Sequence, residues 1–315
     1  MKRRPRLLFV TVMVAASAML AACGSSAGSL PPASSSTSGP DEGKFANLLP
    51  QELRDKGTLN IAMPNYPAAV IKTGPEEPTG FEVDLAKKLG SLLGMKVKLE
   101  VPQFDTIIPG LQSGRYDLAM GLIGINPTRQ KQLAFVSTTN APDGFLARKG
   151  SGLSINSLKD ACGHSVASVT GSQEANALQS VEAECAAAGN PITVSLFQDT
   201  GQTQLALQSS RVDLVLSGTS PLVYVIRQFP DKFELAGTLP ADVIPSLCGI
   251  AIPPQPSWQQ EAEALQTAVN YLLDSGWQKQ SLQQWQFDVG LIEKSDIYPF
   301  TGSSASGTDS ASPAP

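Results

Sequence analysis

One decapeptide pattern occurs twice in this chain: LQSGRYDLAM, from Leu111 to Met120, returns as LQSSRVDLVL, from Leu207 to Leu216. Each copy reads as the end of a helix, a tight turn and a buried strand, so the repeat points to two related lobes. Short segments also resemble one another by chance, and the repeat needs support from its surroundings. That support is an alternation of elements. Thr58 to Met63 reads as a strand, Asp84 to Leu93 as a helix and Lys96 to Val101 as a strand, while Val166 to Val169 and Thr193 to Phe197 read as strands of a second unit. Such alternation predicts α/β layers with crossover helices. In the helix, Leu85, Leu89 and Leu92 recur at helical spacing with Ala86 and Leu93 beside them, and Gly94 ends the run. Glu82 and Asp84 at its start are read as complements of the helix dipole. Asp117 and Asp213 hold the same place in the two copies and are read as structural. Gly249 to Ile252 reads as a strand returning toward the first lobe. Glu261 to Leu273 reads as a helix with Ala262, Leu265, Ala268, Val269 and Leu272 on its apolar side.

The amino end addresses a compartment. Lys2, Arg3, Arg4 and Arg6 precede an apolar run from Leu7 to Leu20, the pattern of a secretory signal and too short for an ordinary membrane span. Leu20, Ala21, Ala22 and Cys23 resemble the bacterial lipobox, in which cleavage before the cysteine leaves a lipid-modified sulfur. The alternative is a plain signal peptide with an incidental cysteine. Residues 1–22 are thus expected to be a lipoprotein signal, Cys23 the membrane anchor on the extracytoplasmic face, 23–43 a Ser/Pro-rich tether and 301–315 a disordered tail. About 250 residues remain between them, enough for one large or two ordinary domains.

Composition narrows the chemistry. The chain has 23 Lys and Arg against 28 Asp and Glu, and four of the basic residues sit in the leader, so nothing suggests a nucleic-acid surface. His164 is the single histidine, read as a surface loop residue, and no CxxC spacing occurs. A metal site or a His-based triad is poorly supported, and no motif implies a cofactor. Of Cys162, Cys185 and Cys248, one pair and one orphan is the simplest arithmetic in an oxidising compartment. Cys162 precedes a strand and Cys185 lies late in the helix that should pack back across it, which favours that pair; three buried thiols are the alternative.

Several segments together resemble the polar amino acid family of extracytoplasmic solute-binding proteins. They are GFEVDLAKKLG (80–90), FDTIIPGLQSGRYDLAMG (104–121), INPTRQKQLAFVST (125–138), GHSVASVTGSQE (163–174) and SGWQKQSLQQWQF (275–287). The resemblance implies a two-lobed periplasmic-binding-protein type II fold with two hinge crossovers, placed near Ala141 to Gly144 and Pro245 to Gly249. Lobe one is then built from 44–142 and 247–300, and lobe two from 143–246, closing on a ligand by hinge motion.

The same resemblance implies a ligand site. Arg129 matches the family's carboxylate-binding arginine, whose planar fork suits a two-point grip. Asn126 and Pro127 read as the cap and first turn of the short helix carrying it. Across the cleft, Gly171, Ser172 and Gln173 would offer N–H groups and a hydroxyl, with a plain helix cap as the alternative. Phe104 aligns with a stacking aromatic and Tyr66 lies near a second one. Leu122 and Gly124 stand where the family offers main-chain and hydroxyl contacts. Gly218 stands where the family has an aspartate for the ligand's ammonium, so another acid takes that role, from Glu82, Glu174, Asp199 and Asp242, or the ligand has no ordinary α-ammonium.

The expected function is an ABC importer's solute-binding lipoprotein, a monomer that binds a polar amino acid or similar carboxylate, docks on permease subunits and is not an enzyme. Two alternatives share the fold: a periplasmic dehydratase-like enzyme with Glu174 as general acid, and a sensory lipoprotein that signals to a membrane partner.

Overall fold

The computed structural model describes residues 41–302; the signal over 1–22, Cys23, the tether through residue 40 and the tail from residue 303 lie outside the described residues. Among the described residues, eleven strands form two sheets. The first uses β1 (Thr58–Ala62), β2 (Lys96–Glu100), β3 (Leu118–Gly124), β4 (Ala134–Asn140), β10 (Leu247–Ile252) and β11 (Ile297–Tyr298). The second uses β5 (Asp143–Arg148), β6 (Ser165–Val169), β7 (Thr193–Phe197), β8 (Leu214–Gly218) and β9 (Phe233–Thr238). Their orders are β11-β4-β10-β3-β1-β2 and β7-β6-β8-β5-β9.

The two sheets follow one plan. In each, three parallel strands (β2-β1-β3 and β7-β6-β8) are followed by an antiparallel strand, β10 or β5, and then by another antiparallel partner, β4 or β9. The fourth strand of each sheet arrives from the other lobe. The crossovers fall at residues 141–142, between β4 and β5, and 239–246, between β9 and β10. They run side by side, with the Ala141 N–H donating to the Ser246 carbonyl at 2.6 Å.

The repeated decapeptide occupies equivalent places. Asp117 accepts the Asn60 N–H at 2.8 Å while its own N–H donates to the Asn60 carbonyl at 2.9 Å. Asp213 does the same with Ser165, at 3.0 and 2.8 Å. Each carboxylate also meets a cation, Lys56 in one lobe and Arg148 in the other. Both aspartates are therefore clips that fasten the turn to the neighbouring parallel strand.

Among the described residues, nine α-helices cover the sheets: α1 (Gln51–Lys56), α2 (Phe81–Leu92), α3 (Ile107–Gln112), α4 (Pro127–Gln130), α5 (Gln173–Ala187), α6 (Thr200–Gln208), α7 (Thr219–Gln228), α8 (Trp258–Asp274) and α9 (Trp277–Gln284). The α2 face predicted from its leucines is buried, and it shares one core with Ala262, Leu265, Ala268 and Leu272 of α8. Glu82 stands in the first turn of α2, as expected, and has a further role. It is 2% exposed and accepts the Gly121 N–H at 3.2 Å and the Thr139 hydroxyl at 3.1 Å, so it also ties β3 to β4. Burial lifts its carboxyl to about 7. Asp84 accepts the Trp285 indole N–H at 2.8 Å, and so holds the end of α9.

At the margins the fold extends into segments read as tether and tail. The Gly43 N–H donates to the Ser91 carbonyl at 2.8 Å, and the Thr301 N–H to Gln130 at 2.8 Å. In lobe two, Cys162 and Cys185 are disulfide-bonded, which pins the late part of α5 to the turn before β6. Cys248 is a buried free thiol. Among the described residues, no helix is long and apolar enough to cross a membrane.

Candidate functional site

The lobes meet around a cavity of about 180 Å³. Lobe one contributes Tyr66, Phe104, Leu122, Gly124 and Arg129 to its lining, and lobe two contributes Ser172, Gln173, Glu174, Asp199 and Ser217.

Arg129 sits on α4 because Asn126 caps that short helix, its side-chain oxygen accepting the Arg129 N–H at 2.9 Å. The residue is only 5% exposed. Nη1 donates to the Gly124 carbonyl at 2.9 Å, and the guanidinium lies 5.3 Å from the centre of the Phe104 ring. Burial draws its pKa down, opposed by the Glu174, Cys248 and Asp143 groups nearby. Among the described residues Arg129 enters no ion pair within 4.0 Å. A guanidinium has five N–H donors and cannot shed its charge, so most of its hydrogen-bonding capacity faces the cavity unspent.

Leu122 bends the strand beside it. Its φ of 61° is the left-handed region, uncommon for a branched side chain and costly inside a strand. The residue lines the cavity, so the break in regular β geometry falls where the backbone meets the guest space.

Lobe two faces this from the start of α5. Ser172 caps the helix, its oxygen accepting the Ala175 N–H at 3.0 Å, and also lines the cavity. The helix cap is thus present, and its hydroxyl also borders the cavity. Gly171 is not part of the lining and instead packs against Asp105 of lobe one. The Gln173 side chain reaches to the hinge, donating to the Pro245 carbonyl at 3.1 Å, and its oxygen fills the space above Gly124 where a Cβ would collide. The bare backbone at 124 is therefore matched to a side chain from the opposite lobe.

The largest departure from expectation concerns Gly218. It does not line the cavity: its N–H donates at 2.8 Å to the Tyr66 hydroxyl, which crosses from lobe one. The same hydroxyl lies 2.9 Å from Ser217 Oγ and 3.4 Å from Glu174 Oε1. Burial and the Glu174 and Asp143 carboxyls hold this phenol well above its usual range, so it remains a protonated donor. Tyr66 is thus more than a second aromatic wall; it is a polar link between the lobes.

Asp143, the first residue of β5, was not singled out by sequence reasoning. It lies 1% exposed opposite Gly218 in register. Burial and the adjoining Glu174 push its carboxyl well above the usual carboxylate range. Its only sequence signal is its place just after the first crossover.

Two sheets of like topology, joined by paired crossovers and closing on a cavity with a buried guanidinium, define a hinged solute-binding protein. The chain belongs to the bacterial extracellular solute-binding proteins, family 3, whose sequence pattern matches residues 59–288. It is similar to the arginine-binding protein ArgT of Corynebacterium glutamicum, 23% identical over 253 residues that cover 79% of this chain and 81% of that one. The L-cystine-binding protein TcyJ of Escherichia coli is 25% identical over 193 residues, covering 60% of this chain and 69% of its own. Among solved structures, an ancestral arginine-binding protein bound to arginine superposes with a TM-score of 0.66 at 27% identity, covering 73% of this chain and 98% of that one.

Proposed function

We propose that this protein is the solute receptor of an ABC importer, that it binds a polar amino acid or related carboxylate unchanged, and that Arg129 grips the carboxylate. The observation carrying this reading is the buried guanidinium that borders the cavity with no anion among the described residues paired to it. A buried cation of this kind is stabilised by an anionic guest that takes the place of water. Phe104, Leu122, Gly124, Ser172, Gln173 and Tyr66 form the remaining walls. In this reading the leader is removed, Cys23 carries the lipid, and the tether leaves a monomeric receptor free to dock on permease subunits at the extracytoplasmic face.

Calorimetric titration with L-arginine, L-glutamine and L-cystine tests the site. Arg129→Ala should weaken binding by roughly 2–5 kcal/mol, the cost of leaving a desolvated carboxylate unpaired. Unchanged affinity in that variant removes Arg129 from the site. Cys23→Ser should move the expressed protein from the membrane fraction to the soluble one, and retention in the membrane refutes the lipid anchor.

A further inference from the structure

A side chain at position 218 would have to displace the Tyr66 hydroxyl. A Cβ added to Gly218 would stand 2.8 Å from the Tyr66 hydroxyl oxygen, which already takes the Gly218 N–H. Whatever group meets a ligand's ammonium must come from elsewhere, and the structure separates the candidates. Glu82 lies outside the cavity lining, its two oxygens engaged by Gly121 and Thr139. Asp242 is exposed and away from the lining. Asp199 does line the cavity, but it caps α6, with one oxygen accepting the Gln202 N–H at 2.9 Å and the other its side-chain amide at 3.1 Å. Glu174 lines the cavity at 7% exposure, and its hydrogen-bond partner among the described residues is the Tyr66 hydroxyl at 3.4 Å.

We propose that Glu174, backed by Asp143, receives the ligand's α-ammonium group, with Tyr66 filling the place an acid at 218 would need. This rests on the amino-acid receptor reading above and names the acid that reading lacks. Three further observations support it. Glu174 is near enough to favour the charged form of Arg129, yet no ion pair joins them. An α-amino acid carries its ammonium and carboxylate on one carbon, so it fits between two opposite charges held a short way apart. Asp143 is almost fully buried next to Glu174, and its Oδ1 has no hydrogen-bond partner among the described residues. Burial and the adjoining Glu174 push the Asp143 carboxyl well above its usual range, which disfavours a charge on Asp143. The site therefore selects α-amino acids over the corresponding des-amino and 2-hydroxy acids.

The test uses the folded, leader-less protein and titrations with the twenty common L-amino acids and L-cystine. The tightest binder is then compared with its des-amino analogue, for arginine 5-guanidinopentanoate. Wild type should prefer the amino acid by at least about 30-fold, and Glu174→Gln should lose about that factor for the amino acid while holding the analogue within about threefold. Equal affinity of Glu174→Gln and wild type for the amino acid overturns the assignment and leaves the receptor reading intact. So does a wild type that binds the des-amino analogue as tightly as its parent. Binding of no panel member overturns the receptor reading and the assignment with it. If Glu174→Gln loses both ligands alike, Glu174→Asp decides: retained discrimination supports the proposal, and equal loss overturns it. Thermal unfolding of each variant checks that the fold is kept.

Discussion

Gly124 and Gly218 are explained by what occupies the space above them. At 124 it is the Gln173 side chain and at 218 the Tyr66 hydroxyl, each reaching over from the opposite lobe. A glycine on one face and a long polar side chain on the other act as one unit, and the two ought to be energetically coupled. Gly124→Ala should weaken binding of the preferred amino acid by about 1–3 kcal/mol through overpacking against Gln173 in the closed form. In a Gln173→Ala background the same change should be close to neutral, as measured by a double-mutant cycle of calorimetric affinities. Additive losses would show that the contact is incidental. The residues of the cavity were only partly legible in the sequence. Arg129 and its capping Asn126 lie in one continuous motif and were readable, whereas Tyr66, Asp143 and Glu174 come from separate segments and acquire their roles through the meeting of the lobes. The missing aspartate at 218 was visible as a gap, but not the phenol that fills it.

At the level of elements, the repeated helix–turn–strand unit carries a further difference. Gly114 and Ser210 hold the same turn, each N–H donating three residues back at 3.1 Å, with φ of 73° and 59°. Glycine adopts that conformation freely, and serine bears a steric cost of about 1 kcal/mol or more. Ser210→Gly is expected to stabilise lobe two by about 1 kcal/mol, raising its unfolding temperature by roughly 2–4 °C in a calorimetric scan. A fall would mean that the Ser210 side chain makes an offsetting contribution in the native turn. Periodicity and turn chemistry made most elements readable, α2 and the strands around it in particular. Strand β11, only two residues long, was beyond such reasoning, whereas α4, a single turn, was readable only through its Asn126 cap and Pro127. Strand β11 owes its form to β4, a partner distant in sequence.

For the molecule as a whole, buried acids set the response to pH. Burial lifts Glu82 from 4.5 to about 7 and Glu261 from 4.5 to about 8. An acid whose folded pKa is raised binds its proton more tightly in the native state than in the unfolded chain. Stability therefore falls as pH rises from about 4.5 to about 8, and levels off above that window. The groups with lowered values, Asp41, Glu100, Asp160 and Asp213, act in the opposite sense but only in more acidic solution. Ligand-free protein should unfold at a higher temperature near pH 5 than near pH 8. Glu82→Gln and Glu261→Gln should each flatten that slope, and a profile that rises across this range would show that these carboxyls are already ionised in the native state.

Strand β10 fills the middle of the first sheet, between β3 and β4, although it follows all of lobe two along the chain. The lobe that is synthesised first is accordingly finished last. A ribosome product ending after Thr238 would contain every strand of the second sheet but leave β3 and β4 without the partner between them, so the guanidinium-bearing half waits for its keystone until the other half is complete.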